Sequence, residues 1–187
     1  MNALQNPVNG NTDKEFLLSL LRESRENFLG SFAGVSDKHS RVHPAENCWS
    51  VLDTVEHLAS AEGMMLKLIT TQRRPRSADA PNREQAFLHL VADRSRKMQS
   101  PEGGRPRGRF ANLAEAAAQF SANRDSVIQF VEQHTEDLRA SEVTHPHPAA
   151  GDVSIYEMVI IIAKHGERHA KQIHEIRNTL EGMAATP

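Results

Sequence analysis

The sequence predicts an all-α fold, a four-helix bundle, and three observations predict it. Hairpin signals are missing: no Asn-Gly or Asp-Gly turn lies between alternating apolar runs, and Asn9-Gly10 sits in a polar stretch. β-Branched runs are scarce, with only one tyrosine and one tryptophan. Four segments open with a polar residue followed three positions later by an acid, the pattern in which the first side chain caps the helix and the acid returns the bond. Each leads into apolar residues at helical spacing.

Thr12-x-x-Glu15 opens a first helix over Asp13 to Phe28, with Phe16, Leu17, Leu20, Leu21 and Phe28 inward and Gly30 and Gly34 ending it. Ser50-x-x-Asp53 opens a second, Val51 to Thr71. A shorter amphipathic piece, Arg83 to Met98, carries Phe87, Leu88, Leu90 and Val91. Asn112-x-x-Glu115 opens a third helix, Leu113 to His134, with Leu113, Ala117, Phe120, Val127 and Val131 on one stripe. Ser154-x-x-Glu157 opens a fourth, Ile155 to Leu180, with Gly182 as its stop. Four long helices with one apolar face each bury those faces most economically against one another. The connection from Gln72 to Ala111 is long enough to cross the whole bundle, which would leave the second and third helices parallel. On this basis residues 12–181 form a single domain, with 1–11 a disordered tail and 182–187 a C-terminal tail.

Composition narrows the function classes. The chain has 187 residues, enough for one real core, and a formal net charge of -2, which argues against a wholesale nucleic-acid binder. The charge is uneven: Arg73 to Arg109 carries ten Lys/Arg against four Asp/Glu, a local +6 that leaves -8 elsewhere. That segment reads either as a solvated, partly mobile loop or as a basic rim for an anionic ligand. A single cysteine, Cys48, excludes an internal disulfide framework and any multi-cysteine metal site. With no base beside it in sequence, it reads as an inert thiol. No apolar run is long enough for a membrane span, and the first residues lack the basic-then-apolar pattern of a signal peptide, so a cytoplasmic protein is expected.

Ten histidines remain to be placed. His165 and His169 stand four apart on the fourth helix, about 40° apart on its wheel, within the stripe formed by Met158, Ile162 and Ile173. Two imidazoles in an apolar interior must be neutral and hydrogen-bonded, or bound to a metal. A third ligand has to come from another helix, and His57 borders the core face of the second. Three neutral nitrogen ligands leave a cation positive and with an open position, as in a catalytic rather than a closed structural site. His39, His43, His89, His134, His145 and His174 read as structural or solvated.

Trp49-Ser50 leading into Glu56-His57-Leu58 and Ala61-Glu62, then His147-Pro148-x-x-Gly151-Asp152-x-Ser154, then His165-Gly166-Glu167-Arg168-His169-Ala170-Lys171-Gln172-Ile173 together resemble the DinB/YfiT-like superfamily of small metalloproteins. The resemblance implies an up-down-down-up four-helix bundle. It also implies a divalent metal, nickel or zinc, held by the positions matching its motif, His57, His165 and His169. Homodimers are frequent in the superfamily. Its activities include transferases and isomerases that use a low-molecular-weight thiol, and metal-dependent hydrolases. The function expected is therefore a metal-dependent enzyme acting on a small-molecule substrate through an activated thiol or water. The alternative is a noncatalytic metal-binding stress-response or interaction module.

Two further residues break the apolar pattern. Glu62 lies inside the apolar face of the second helix and Arg124 between Leu113 and Val127 on the third. They can pair as a buried salt bridge. Alternatively, Glu62 orients a ligand imidazole or accepts a proton, and Arg124 holds a substrate carboxylate. His147, in a Pro-rich loop ahead of the fourth helix, reads as a turn residue, with substrate or metal contact as its alternative.

Overall fold

The computed structural model describes residues 10–95 and 98–184. Four long helices dominate it: α1 (Gly10–Ser31), α3 (Val51–Thr71), α5 (Leu113–Gln133) and α6 (Ile155–Ala184). Between them lie the short α2 (Asp37–Ser40), α4 (Glu84–Leu90) and a 3-10 turn at Glu102–Gly104. Three of the expected caps form. Ser50 Oγ accepts from the Asp53 amide while the Asp53 carboxylate accepts from the Ser50 amide, and Ser154 and Glu157 make the same reciprocal pair. Asn112 Oδ1 accepts from the Glu115 amide. The fourth expectation fails, because α1 begins at Gly10 and Thr12 lies inside it rather than at its cap. Likewise α6 runs through Gly182 to Ala184 instead of stopping there. Of the tails expected at 1–11 and 182–187, residues 1–9 and 185–187 lie outside the described residues.

The all-α bundle stands, with one small sheet that the missing hairpin signals did not announce. A three-stranded antiparallel sheet joins β1 (Arg74–Pro75), β2 (Ser141–Thr144) and β3 (Asp152–Ser154) in the order β1-β2-β3. Glu142 is opposite both Arg74 and Ser154, and Val143 opposite Val153. Segments of two to four residues are too short to show an alternating pattern.

This small sheet fixes the helix directions. β1 follows the end of α3, β2 follows the end of α5, and β3 runs directly into α6, so the sheet collects two helix ends and one helix start. At the same end Lys14, early in α1, donates from Nζ to the Glu132 and His134 carbonyls at the end of α5. α1 and α6 therefore leave the sheet end and α3 and α5 arrive at it: up-down-down-up, with α3 and α5 parallel. The crossover must return along the bundle, and it is tied down as it does so. Arg74, Arg76, Arg94 and Arg109 pair with Asp152, Glu157, Glu175 and Glu56. Four of the ten basic residues of this segment thus meet acids outside it.

The core is in two parts. Toward the sheet, Leu17, Leu21, Met65, Ile69, Val127 and Ile155 pack together; at the far end Phe28, Val55, Leu58, Phe120 and Ile173 do so. Between them, one from each long helix, lie Ser24, Glu62, Arg124 and Gly166. Arg124 and Glu62 are fully buried, joined by Nε to Oε2 at 3.1 Å and by Nη2 to Oε1. Arg124 Nη1 donates to the Leu21 carbonyl at 2.7 Å and to Ser24 Oγ at 2.6 Å. Gly166 makes room for the guanidinium, since a Cβ there would lie 3.2 Å from Arg124 Nη2. The bundle thus carries a polar layer at mid-height, and the histidines lie beside it.

Candidate metal centre

His57 enters from the second turn of α3; His165 and His169 come from successive turns of α6. His57 and His169 are buried and His165 is half-buried. Their Nε2 atoms converge: His165 Nε2 lies 3.3 Å from that of His57 and 2.9 Å from that of His169. All three ligand atoms lie within 4.8 Å of one another. Nitrogens bound to one tetrahedral zinc-like ion at about 2.0–2.1 Å would be about 3.3 Å apart, so the spacing fits a common cation.

The outer nitrogens establish which way the lone pairs point. His57 Nδ1 is 2.6 Å from the Gly104 carbonyl oxygen, which can only accept, so Nδ1 carries the proton. His169 Nδ1 is 2.8 Å from Gln172 Oε1, and Arg94 Nη1 lies 3.3 Å from the same atom. A guanidinium can only donate, so that atom is the acceptor, and His169 Nδ1 also donates. Both Nε2 atoms then present lone pairs to the shared point. A single proton on His165 Nε2 could serve only one of them, whereas a cation serves all three. Among the described residues His165 Nδ1 is buried with no hydrogen-bond partner.

Electrostatics hold the rings neutral. Burial pushes His165 and His169 well below the ordinary imidazole value, and the neighbouring rings push further. Burial also lowers His57, against the Gly104 hydrogen bond, which raises it. Neutral imidazole is the ligand form. Trp49 covers one side, its ring centroid 4.8 Å from that of His57 and 6.3 Å from that of His169.

The sequence-predicted residues separate into two groups. His57, His165 and His169 come together. Glu62 and Arg124 lie in the mid-height layer, bonded to each other, so the ion-pair alternative describes their geometry; either would have to leave its partner to meet a substrate. Burial pushes the Glu62 carboxyl up, against the Arg124 guanidinium, which pulls it down. His147 sits in the β2–β3 turn, where its Nδ1 accepts from the Ala149 amide at 3.2 Å and its own amide donates to His145 Nδ1 at 2.9 Å. Among the described residues no hydrogen bond joins it to the histidine cluster. His174 is exposed, as expected.

Two neighbours of the cluster were missed. Gln172 stands three residues after His169, a spacing that puts it on the same helical face and could have suggested it. Glu56, buried beside His57, accepts from the amides of Arg107, Gly108 and Arg109 and from Arg109 Nη1. Nothing in the sequence links residue 56 to a segment fifty residues on.

Comparison with known proteins accords with this architecture. The model of the DinB superfamily matches residues 20–173, and the chain belongs to that superfamily. It is 23% identical to the uncharacterized protein YuaE of Bacillus subtilis over 166 residues, 88% of this chain and 99% of YuaE. In fold it is similar to YfiT of Bacillus subtilis, described as "a probable metal-dependent hydrolase with an unusual four-helix bundle topology" (TM-score 0.61, 14% identity, 97% of this chain and 94% of that one). It is also similar to a conserved protein of Enterococcus faecalis (TM-score 0.61, 13% identity, 90% of this chain and 96% of that one). Among the described residues no helix is long and apolar enough to cross a membrane.

Proposed function

We propose that this member of the DinB superfamily is a metal-dependent enzyme in which His57, His165 and His169 hold one divalent cation, zinc or nickel, that activates a water or a low-molecular-weight thiol. The convergence of three Nε2 atoms, two with their tautomer set from outside, carries the proposal. Bound there, the cation would act as a Lewis acid, lowering the pKa of its water or thiol toward neutrality. The chain's residues do the rest. Gly104 and Gln172 hold His57 and His169 in the ligand tautomer, burial keeps the rings unprotonated, and Trp49 shields one side of the cluster. The description of YfiT supports hydrolysis; the thiol-dependent transferase or isomerase uses the same centre and differs in requiring a cosubstrate. The proposal includes a small-molecule substrate, a homodimer, as the family resemblance implies, and a cytoplasmic location, as the sequence leads us to expect.

Elemental analysis of protein purified without a histidine tag tests the centre. About one zinc or nickel per chain, lost in His165→Ala with the helical spectrum unchanged, is the expected result. Metal retained by that variant would overturn it. Turnover of esters, amides or electrophile–thiol pairs that disappears on chelation and returns with metal supports the enzyme. A folded, stoichiometrically loaded protein inert to all of them would leave the noncatalytic module.

A further inference from the structure

Two adjacent residues of α3 face the same crossover segment. His57 Nδ1 donates to the Gly104 carbonyl at 2.6 Å. The Glu56 carboxylate, only 1% exposed, accepts from three successive amides, Arg107 at 2.6 Å, Gly108 at 3.0 Å and Arg109 at 3.1 Å. Gly108 has φ +69°, the left-handed conformation that lets consecutive amides turn toward one anion. Arg109 links the two contacts. Its Nη1 donates to Glu56 Oε1 at 2.9 Å and to the Arg105 carbonyl at 3.1 Å, and its Nη2 to the Gly103 carbonyl at 3.5 Å. Those carbonyls flank the one that His57 uses. The fit is close, since a Cβ on Gly104 would lie 3.0 Å from Ser100 Oγ and 3.4 Å from His57 Cε1.

We infer that Glu56 is a positioning residue for the metal centre: by gripping residues 107–109 and the Arg109 guanidinium it aims the Gly104 carbonyl at His57 and so holds the ring with its Nε2 lone pair toward the cation. The inference rests on the proposed three-histidine site, yet its first consequence is visible without metal. Were Glu56 only an anchor for the crossover, its loss would lower stability and leave the His57 tautomer and metal affinity as they are. As a positioning residue it controls both. Removing the outer hydrogen-bond partner of a ligand imidazole weakens metal affinity about 10–100-fold.

The test uses Glu56→Gln and, because a buried change can compromise folding, Arg109→Met, whose side chain is partly exposed. Long-range proton–nitrogen spectra of the metal-free protein report the His57 tautomer, and competition with a chelator reports zinc affinity. Wild type should show the proton on His57 Nδ1. Both folded variants should show mixed tautomers and zinc binding weaker by about tenfold or more; Glu56→Asp, which keeps the charge, should recover part of each. Unchanged tautomer and affinity in a folded variant would overturn the inference, and if Glu56→Gln does not fold, Arg109→Met decides alone. Wild type that binds no zinc, but whose His57 tautomer still responds to the variants, would instead remove the metal reading and leave the positioning role standing.

Discussion

The bundle interior holds two polar clusters that differ in one respect. In the mid-height layer Arg124 and Glu62 meet each other's needs, and the remaining guanidinium donors meet Leu21, Ser24 and Ile162. At the histidine cluster the outer nitrogens of two rings are bonded, while three inner nitrogens turn toward one shared point. A polar group that finds its complement within the chain behaves as part of the scaffold. One whose converging lone pairs outnumber the protons available to them has a donor set suited to a cation. The difference separates structural from chemical residues where polarity and burial alone do not, since Glu62 is more deeply buried than His57.

The comparison can be broken at several points. Arg124→Ala leaves the Glu62 carboxyl buried and alone and should lower unfolding free energy by about 3–5 kcal/mol in urea titration. The double change Glu62→Leu with Arg124→Met should recover most of that loss and keep zinc stoichiometry; loss of zinc in a folded double variant would show that the layer serves the centre directly. Zinc at a hundred times its dissociation constant should stabilise the wild type by about 2.7 kcal/mol, and His165→Ala not at all, as read by thermal melting.

The pH dependence sharpens the same contrast. The cluster imidazoles have folded pKa values below the unfolded value of about 6.5, so the unfolded chain binds more protons than the folded one as pH falls. The cluster's contribution to metal-free stability should therefore be constant above about pH 7 and decline progressively below about pH 6.5. Replacing His57, His165 and His169 together with Gln should reduce that decline, leaving the share of His134 and His145, which burial also lowers, and an unchanged slope would place the responsible groups elsewhere. Smallest of all, His147→Ala removes a turn hydrogen bond and should change stability by about 1 kcal/mol or less, with zinc affinity unaffected.

Much of this was legible in the sequence, for identifiable reasons. The start of α3 at Val51 follows from Ser50 and Asp53, and that of α6 at Ile155 from Ser154 and Glu157, because capping is local chemistry between residues three apart. His165 and His169 share a face by helix geometry, and only the bundle was needed to bring His57 to them. The sheet was not legible, since its strands are too short for a pattern, and β1 meets β2 only across 66 to 68 positions of chain, as between Arg74 and Glu142. Nor was the role of Gly104, because His57 uses its backbone carbonyl, which every residue possesses. Glu56 was hidden for a related reason: its partners are mostly amides whose positions depend on how the crossover returns.

The separation of the ligands along the chain bears on kinetics. His57 and His165 are 108 residues apart, so the cluster exists only after that very long loop has closed, and local helix formation does not create it. An ion that binds only the finished cluster is expected to enter after the rate-limiting barrier. In stopped-flow experiments added zinc should leave the refolding rate of the chain unchanged and slow its unfolding, lengthening the native lifetime instead of hastening its arrival.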